Sequence, residues 1–171
     1  MHIIFETHRL LVRQYTYDDG EDFYRLNSDP EVMKFIRTPK SRNEALEFLR
    51  ENIAYYAEFP DYGRWALLQK KDGQFLGSFM LRPSATQKDK VELGYALFKP
   101  FWGIGFATEA TIGGIAYGFG TLKLNEIIAI TQLGNIPSKQ VLLKSGFLPA
   151  EDFNEGARKV NLFTIQNPCH G

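Results

Sequence analysis

The chain has 171 residues, 44% hydrophobic and 23% charged, and its 20 basic and 20 acidic side chains cancel. This size and mix suit a single domain, residues 1–171, with a real hydrophobic core. Charge balance argues against a direct nucleic-acid partner, which needs a basic surface, and no apolar run approaches the ~20 residues of a membrane span.

His8 to Tyr15 (HRLLVRQY) alternates and reads as a first strand. Thr16, with Asp19 three residues on, opens a helix through Asp22, Phe23 and Leu26. Asp29-Pro30-Glu31 restarts a helix, with Asp as N-cap and Pro at the first position. Ser41 and Glu44 form a capping box, and Ala45, Phe48, Leu49, Ile53 and Tyr56 then recur at helical spacing. Pro60 to Gly63 is a loop.

Arg64 to Gln69 and Phe75 to Leu81 read as strands joined through Lys71-Asp72-Gly73, which is hairpin chemistry. Arg82 to Asp89, polar and containing Pro83, reads as a loop. Val91 to Phe98 is the next strand, followed by a Gly-rich turn and a helix from Ala107 to about Tyr117. Gly113 and Gly114 in that helix imply close packing on a sheet, since mid-helix glycines otherwise cost about 1 kcal/mol each. Glu126 to Thr131 is a short, nearly all-apolar strand, suited to a sheet covered on both faces. Leu133 to Pro137 is a loop, Ser138 to Ser145 a short helix that Gly146 can end, and Phe147 onward and Lys159 to Ile165 the last strands around a polar Asp152 to Gly156 loop. The order describes an α/β protein with a mixed, mostly antiparallel central sheet of about six to seven strands flanked by helices.

Cys169 is the one cysteine, so no internal disulfide is available and a reducing, cytoplasmic setting is expected. Its place in a terminal tail disfavours catalysis. No signal peptide opens the chain, and no His, Cys and carboxylate cluster has metal spacing, so no metal is expected.

The most informative stretch is Trp102-Gly-Ile-Gly-Phe-Ala-Thr-Glu-Ala110. A strand, a short Gly-rich turn and a helix form a recipe for holding a phosphate. Small residues admit a ligand close to the backbone, while unpaired N–H groups and the helix dipole face the anion. A nucleoside-triphosphate loop is excluded because no Gly-Lys-Ser/Thr follows. A dinucleotide fingerprint is a rival reading: Gly103 and Gly105 begin one, and Glu126 lies near the customary ~20-residue offset of a ribose-binding acid. However, Thr108 stands where the last Gly belongs, and Glu126 starts a strand rather than ending one.

Three segments together resemble the GNAT acetyltransferases, and within them the RimJ/RimL-like branch. They are Thr7 to Arg13 (THRLLVR), Glu92 to Phe98 (ELGYALF) running into Trp102 to Ala110, and Asn135 to Ser138 (NIPS) running into Val141 to Phe147 (VLLKSGF). The resemblance spans nearly the whole chain. It implies a GNAT-like sheet with strands splayed at the cofactor site. It also implies that Trp102, Gly103, Ile104, Gly105, Phe106, Ala107 and Thr108 hold the pyrophosphate of acetyl-CoA. The family pattern has Gln or Arg first, Gly fourth and Gly or Ala sixth; Trp102 departs from it, as is usual in this branch. Backbone near Ala96, Leu97 and Phe98 is expected to pair with the pantetheine arm and to polarise the thioester carbonyl, with Asn135 bonding the arm or cofactor.

Amine acetylation requires an ammonium to lose a proton and a thiolate to gain one. Glu92, charged within a strand leading to the site, is the base expected, against the alternative of a solvent-facing Glu. Alternation places Glu92, Gly94, Ala96 and Phe98 on one face and Leu93, Tyr95 and Leu97 on the other. The Tyr that many relatives use as acid is replaced by Leu142, and Ser138 is the substitute the resemblance suggests; helix N-capping explains Ser138 equally well. Tyr95 reads as core. Glu109 reads as an outward-facing complement to the helix start, since facing inward it would repel the pyrophosphate.

These readings converge on an acetyl-CoA-dependent N-acetyltransferase with direct transfer to a primary amine, a protein N-terminal amine such as that of a ribosomal protein being the first expectation. Polyamine, amino-acid or aminoglycoside acceptors, a non-catalytic CoA-binding protein and a nucleotide-dependent oxidoreductase are the alternatives. A homodimer is a mild expectation, because exposed strand edges in this fold often pair.

Overall fold

A computed structural model describes residues 1–170. Its frame is a sheet of nine strands in the order β1-β2-β3-β4-β5-β6-β9-β7, with β8 on the side of β9. The strands are β1 (Ile3–Glu6), β2 (Leu10–Arg13), β3 (Gly63–Gln69), β4 (Phe75–Pro83), β5 (Val91–Leu97), β6 (Glu126–Gln132), β7 (Leu148–Pro149), β8 (Phe153–Glu155) and β9 (Arg158–Gln166). Every pairing is antiparallel except β5 with β6. The mixed, mostly antiparallel α/β architecture is therefore present, with more strands than the sequence suggested. The extra ones are β1 and β8, which falls inside the expected Asp152 to Gly156 loop, while the strand expected from Phe147 onward is only the two-residue β7. Such short segments carry too few alternating residues to be recognised before their partners are known. β4 also runs to Pro83, which faces Val91 at the end of the ladder, where a missing N–H is tolerated.

Helices cover both faces. On one lie α1 (Gly20–Ser28), α2 (Pro30–Met33) and α3 (Arg42–Tyr55); on the other lie α4 (Phe106–Gly120) and α5 (Ile136–Lys144). The caps behave as their chemistry requires. Asp29 accepts from the N–H groups of Glu31 and Val32, and Ser41 and Glu44 close a reciprocal box. Asp19 accepts from the Thr16 N–H and forms a two-pronged pair with Arg13, tying α1 to β2.

The core explains the glycines of α4. Phe79, Trp65 and Leu93 are buried beneath that helix. A Cβ on Gly114 would lie 2.2 Å from the Phe79 ring, so only glycine lets the helix approach. Burial of each such aromatic contributes about 1.5–3 kcal/mol, which outweighs the propensity cost of the glycine.

Candidate active site

β5 and β6 pair at one register position, Glu92 with Ile128. Beyond it the parallel strands part, and a cavity of about 390 Å³ opens, lined by both strands, the start of α5, and α2 with the segment after it. The Gly-rich turn lies at the end of β5. Gly103 and Gly105 have φ of 73° and 87°, conformations that residues with a Cβ rarely adopt. Gly105 is the N-cap of α4, and no side chain caps the helix. The N–H groups of its first turn therefore lack intrahelical partners, and Trp102 to Gly105 are exposed. This cradle fits a pyrophosphate.

Two side chains brace it. The Trp102 indole Nε1 donates to the Leu97 carbonyl at 2.8 Å, linking the turn to β5. Glu109 stands in the first turn of α4, as the sequence reading placed it. Its carboxylate turns to the β1–β2 connection, accepting from the Thr7 hydroxyl (2.6 Å), the Arg9 N–H (2.7 Å) and the Arg9 guanidinium (2.6 Å). Burial alone would raise this carboxyl, but those donors hold it below the usual carboxylate range. The pairing neutralises an acid that would otherwise face an incoming anion, and it was invisible in the sequence because about a hundred residues separate the partners.

The backbone proposed for the pantetheine arm is only partly free. The Phe98 N–H donates to the Leu76 carbonyl, and the Leu97 carbonyl receives Trp102. Since alternate residues of a strand point their amides to opposite neighbours, Ala96 and Phe98 turn to β4, while Tyr95 and the Leu97 N–H turn to the gap.

Glu92 lines the cavity. Burial raises its carboxyl above the usual range, opposed by the Ser84 hydroxyl, which donates to it at 2.9 Å. Glu155 and the guanidinium groups of Arg64 and Arg82 are the charged neighbours that act on it. Ser138 also lines the cavity, but it is not the helix N-cap. Asn135 caps α5, its Oδ1 accepting from the Ser138 N–H at 3.3 Å. Pro137 at the second helical position suits this earlier start. Asn135 thus has a structural duty for its oxygen, and its amide nitrogen remains for other contacts. Relieved of capping, the Ser138 hydroxyl accepts from the Tyr95 phenol at 3.3 Å. Tyr95 is accordingly more than core: burial raises its phenol, and its oxygen reaches the cavity wall. Leu142 is 1% exposed and has no polar group to offer.

The cavity wall includes four charged residues to which the sequence reading gave no individual role: Arg37, Arg64, Arg82 and Glu155. The available signal was a charge on an otherwise apolar strand, as in Arg64 beside Trp65 and Arg82 after Leu81. Alternation says such residues share a face without saying what that face lines. Among the described residues no His, Cys, Asp and Glu group is placed to hold a metal ion. No helix of the described residues is long and apolar enough to cross a membrane.

An uncapped helix start after one of two parting parallel strands offers its N–H groups to an anionic ligand. The sequence profile of the Acetyltransferase (GNAT) domain matches residues 9–148, and the chain belongs to this family of acyltransferases. A similar relative is "Uncharacterized N-acetyltransferase YoaA" of Bacillus subtilis (strain 168), 30% identical over 146 residues, spanning 84% of this chain and 82% of that protein. Among solved structures, an acetyltransferase (GNAT family) from Bacillus anthracis superposes with a TM-score of 0.83 at 22% identity, covering 95% of this chain and 98% of that one. RimL, a ribosomal L7/L12 alpha-N-protein acetyltransferase in complex with coenzyme A, superposes at 0.79 with 14% identity, covering 96% and 98%. These two likenesses concern the fold.

Proposed function

We propose that this acyltransferase moves the acetyl group of acetyl-CoA directly to a primary amine in a ternary complex. The observation that carries the reading is that the uncapped, Gly-shaped start of α4 follows β5, the same strand whose half-buried Glu92 opens onto the cavity where β5 and β6 part. Acetyl-CoA supplies the activated acyl group. The N–H groups of residues 103 to 108 hold its pyrophosphate, and Trp102 keeps their turn registered on β5. The Leu97 N–H and the Tyr95 backbone face the gap where the pantetheine arm lies, and the Asn135 amide nitrogen is available to it.

Glu92 accepts the proton that the acceptor ammonium must lose, directly or through a water, so that the nitrogen lone pair can form the new N–C bond. Its raised pKa brings it closer to the amine it must deprotonate. As the C–S bond breaks, the Ser138 hydroxyl hydrogen-bonds the sulfur and passes it a proton, and the Tyr95 phenol, bonded to Ser138, replaces that proton. The ammonium loses two protons in becoming an amide. The first leaves to Glu92 and on to solvent. The second, released from nitrogen as the tetrahedral intermediate collapses, returns through water to the Tyr95–Ser138 pair that protonated the thiolate. The ammonium and acetyl-CoA thus give the amide, free coenzyme A thiol and one proton.

A protein N-terminal amine is the first acceptor to test, by analogy with the fold neighbour RimL. The small size of the cavity, about 390 Å³, favours a compact acceptor as the second reading: a small-molecule amine or the terminal residues alone of a peptide. The test is thiol release from acetyl-CoA with a panel of peptides and small amines. Release that depends on the amine is the expected result. Coenzyme A binding with no release from any amine would instead make this a non-catalytic CoA-binding protein.

A further inference from the structure

The acceptor side of the cleft carries unmatched positive charge. Arg37, Arg64 and Arg82 all line the cavity that holds Glu92, Tyr95 and Ser138. None of the three has a carboxylate within salt-bridge range among the described residues, whereas Arg9, Arg13, Arg25, Arg42, Arg50 and Arg158 all do. Arg64 is the plainest case. Its Nε is buried without a hydrogen-bond partner, and one terminal nitrogen reaches only the Met80 sulfur, at 3.2 Å, a weak acceptor. Arg37 donates to the neutral Asn27 oxygen at 3.2 Å and stacks on Phe48, 4.9 Å from the ring centre. Arg64 lies over the same ring at 5.5 Å, and Arg82 over Tyr55 at 4.9 Å. Aromatic faces thus hold these guanidinium planes in place without neutralising them. Burial and its two arginine neighbours lower the Arg64 pKa to about 10, which leaves it charged at neutral pH.

Holding like charges together in a partly buried wall costs stability unless something anionic joins them. The phosphates of coenzyme A are not that partner. Their cradle follows the C-terminal end of β5, beyond Leu97. Arg82 lies opposite Glu92 at the other end of the strand, and Arg64 pairs through Met80 with Gly94. The arginines also project from the α1–α3 face, opposite the one that α4 covers. Glu92 and Glu155 contribute negative charge to the cavity, yet neither reaches a guanidinium there: Glu155 meets Arg158, at 3.9 Å.

We infer that the acceptor is an amine that carries a carboxylate of its own, held by Arg64, Arg37 and Arg82 while its nitrogen faces Glu92. This rests on the transferase reading above and narrows its substrate. Guanidinium groups suit a carboxylate because their planar fork donates two parallel hydrogen bonds. The same wall repels a polyamine, which brings cations and no anion. A free amino acid and a peptide terminus with an acidic side chain both satisfy the chemistry.

The test uses matched acceptors with acetyl-CoA: amino acids against their carboxamides, short peptides with Asp or Glu against Asn or Gln at the second position, and spermidine. The acid members should exceed the amides in kcat/KM by about 10- to 100-fold, the range of hydrogen bonds to a charged group. The amino-acid and peptide arms separate the two sources. In Arg64→Met and in the more peripheral Arg82→Met the acid-to-amide ratio should fall toward one. A calorimetric titration, with coenzyme A present, of an N-acetyl amino acid against its amide reads the anion site without turnover. Thiol release with no acid preference, or with spermidine preferred, overturns the carboxylate assignment and leaves the transferase reading standing. Acid-selective binding without thiol release from any amine does the reverse. Neither release nor acid-selective binding overturns both.

Discussion

The two sides of the cleft are built by different means. On the side proposed for the cofactor, the turn from Trp102 to Gly105 and the start of α4 offer backbone: positive-φ glycines, unpaired N–H groups and one indole hydrogen bond. On the side proposed for the acceptor, Arg37, Arg64, Arg82 and Glu92 offer side chains gathered from the segment after α2, from β3, β4 and β5. The backbone side needs small residues in a fixed order and tolerates change elsewhere. The side-chain side depends on charges converging from distant positions, so single substitutions there should alter which amine is accepted and how fast it reacts. Substitutions in the turn should alter how tightly the donor is held.

Glu92→Gln offers the largest separation of the two sides. It should lower kcat/KM for the amine by about 10²–10⁴-fold, the usual contribution of a positioned base, with donor affinity retained. A loss of only a few-fold in steady-state assays would remove Glu92 from the proton path. In the wild type the acid limb of the pH–rate profile should lie above the ordinary carboxylate range, because burial raises this group. The sign for stability is opposite to that for activity. A carboxyl whose folded pKa is raised favours folding fully only below its unfolded pKa, and that contribution is lost as pH rises through the folded value. Above that window Glu92→Gln should therefore be more stable than the wild type while less active, as chemical denaturation at two pH values would reveal.

Gly105→Val probes the backbone side. A β-branched residue at φ of 87° is strained by about 1–3 kcal/mol, and its Cβ would lie 3.3 Å from the Arg9 guanidinium. Coenzyme A binding should weaken by about 10- to 100-fold with little change in amine discrimination. An unchanged Kd would mean that the turn does not hold the donor. Asn135→Ala removes the cap of α5 and should cost about 0.5–2 kcal/mol in unfolding free energy. Since that cap fixes the Ser138 N–H, kcat should fall with it; full activity at reduced stability would assign Asn135 to structure alone. Trp102→Phe keeps the ring and deletes the bond to Leu97, worth about 1 kcal/mol, so only a several-fold rise in KM for acetyl-CoA is expected. A larger effect would show that the turn depends on its side chain more than on its glycines.

Much of this contrast concerns which information is local. The strand, Gly-rich turn and helix around Trp102 to Ala110, and the Asn-Ile-Pro-Ser start of α5, lie in short contiguous runs, so the cradle and its resemblance were legible in the residues. The long strands and capped helices were equally readable, because periodicity and capping act over a few residues. Short β1 and β8 were not, since each exists through its partner strand. The start of α5 was expected at Ser138, but Asn135 and Pro137 begin it earlier, which removes capping as an explanation for Ser138. The partners of Glu109 could not be read, because Thr7 and Arg9 meet it only after folding.

By itself, the sequence determined the fold class and the family, and it marked the Gly-rich turn and the polar residues of β5 and α5 on which the proposed function rests. The tertiary structure decided what those residues face. It parted β5 from β6 beyond Glu92, set the Tyr95 phenol on Ser138, and drew Arg37, Arg64 and Arg82 to one wall without carboxylate partners among the described residues. The physical reason is range. Helix caps, turns and alternation are interactions between near neighbours in the chain, whereas the charge balance of a cavity is a sum over residues that only packing brings together.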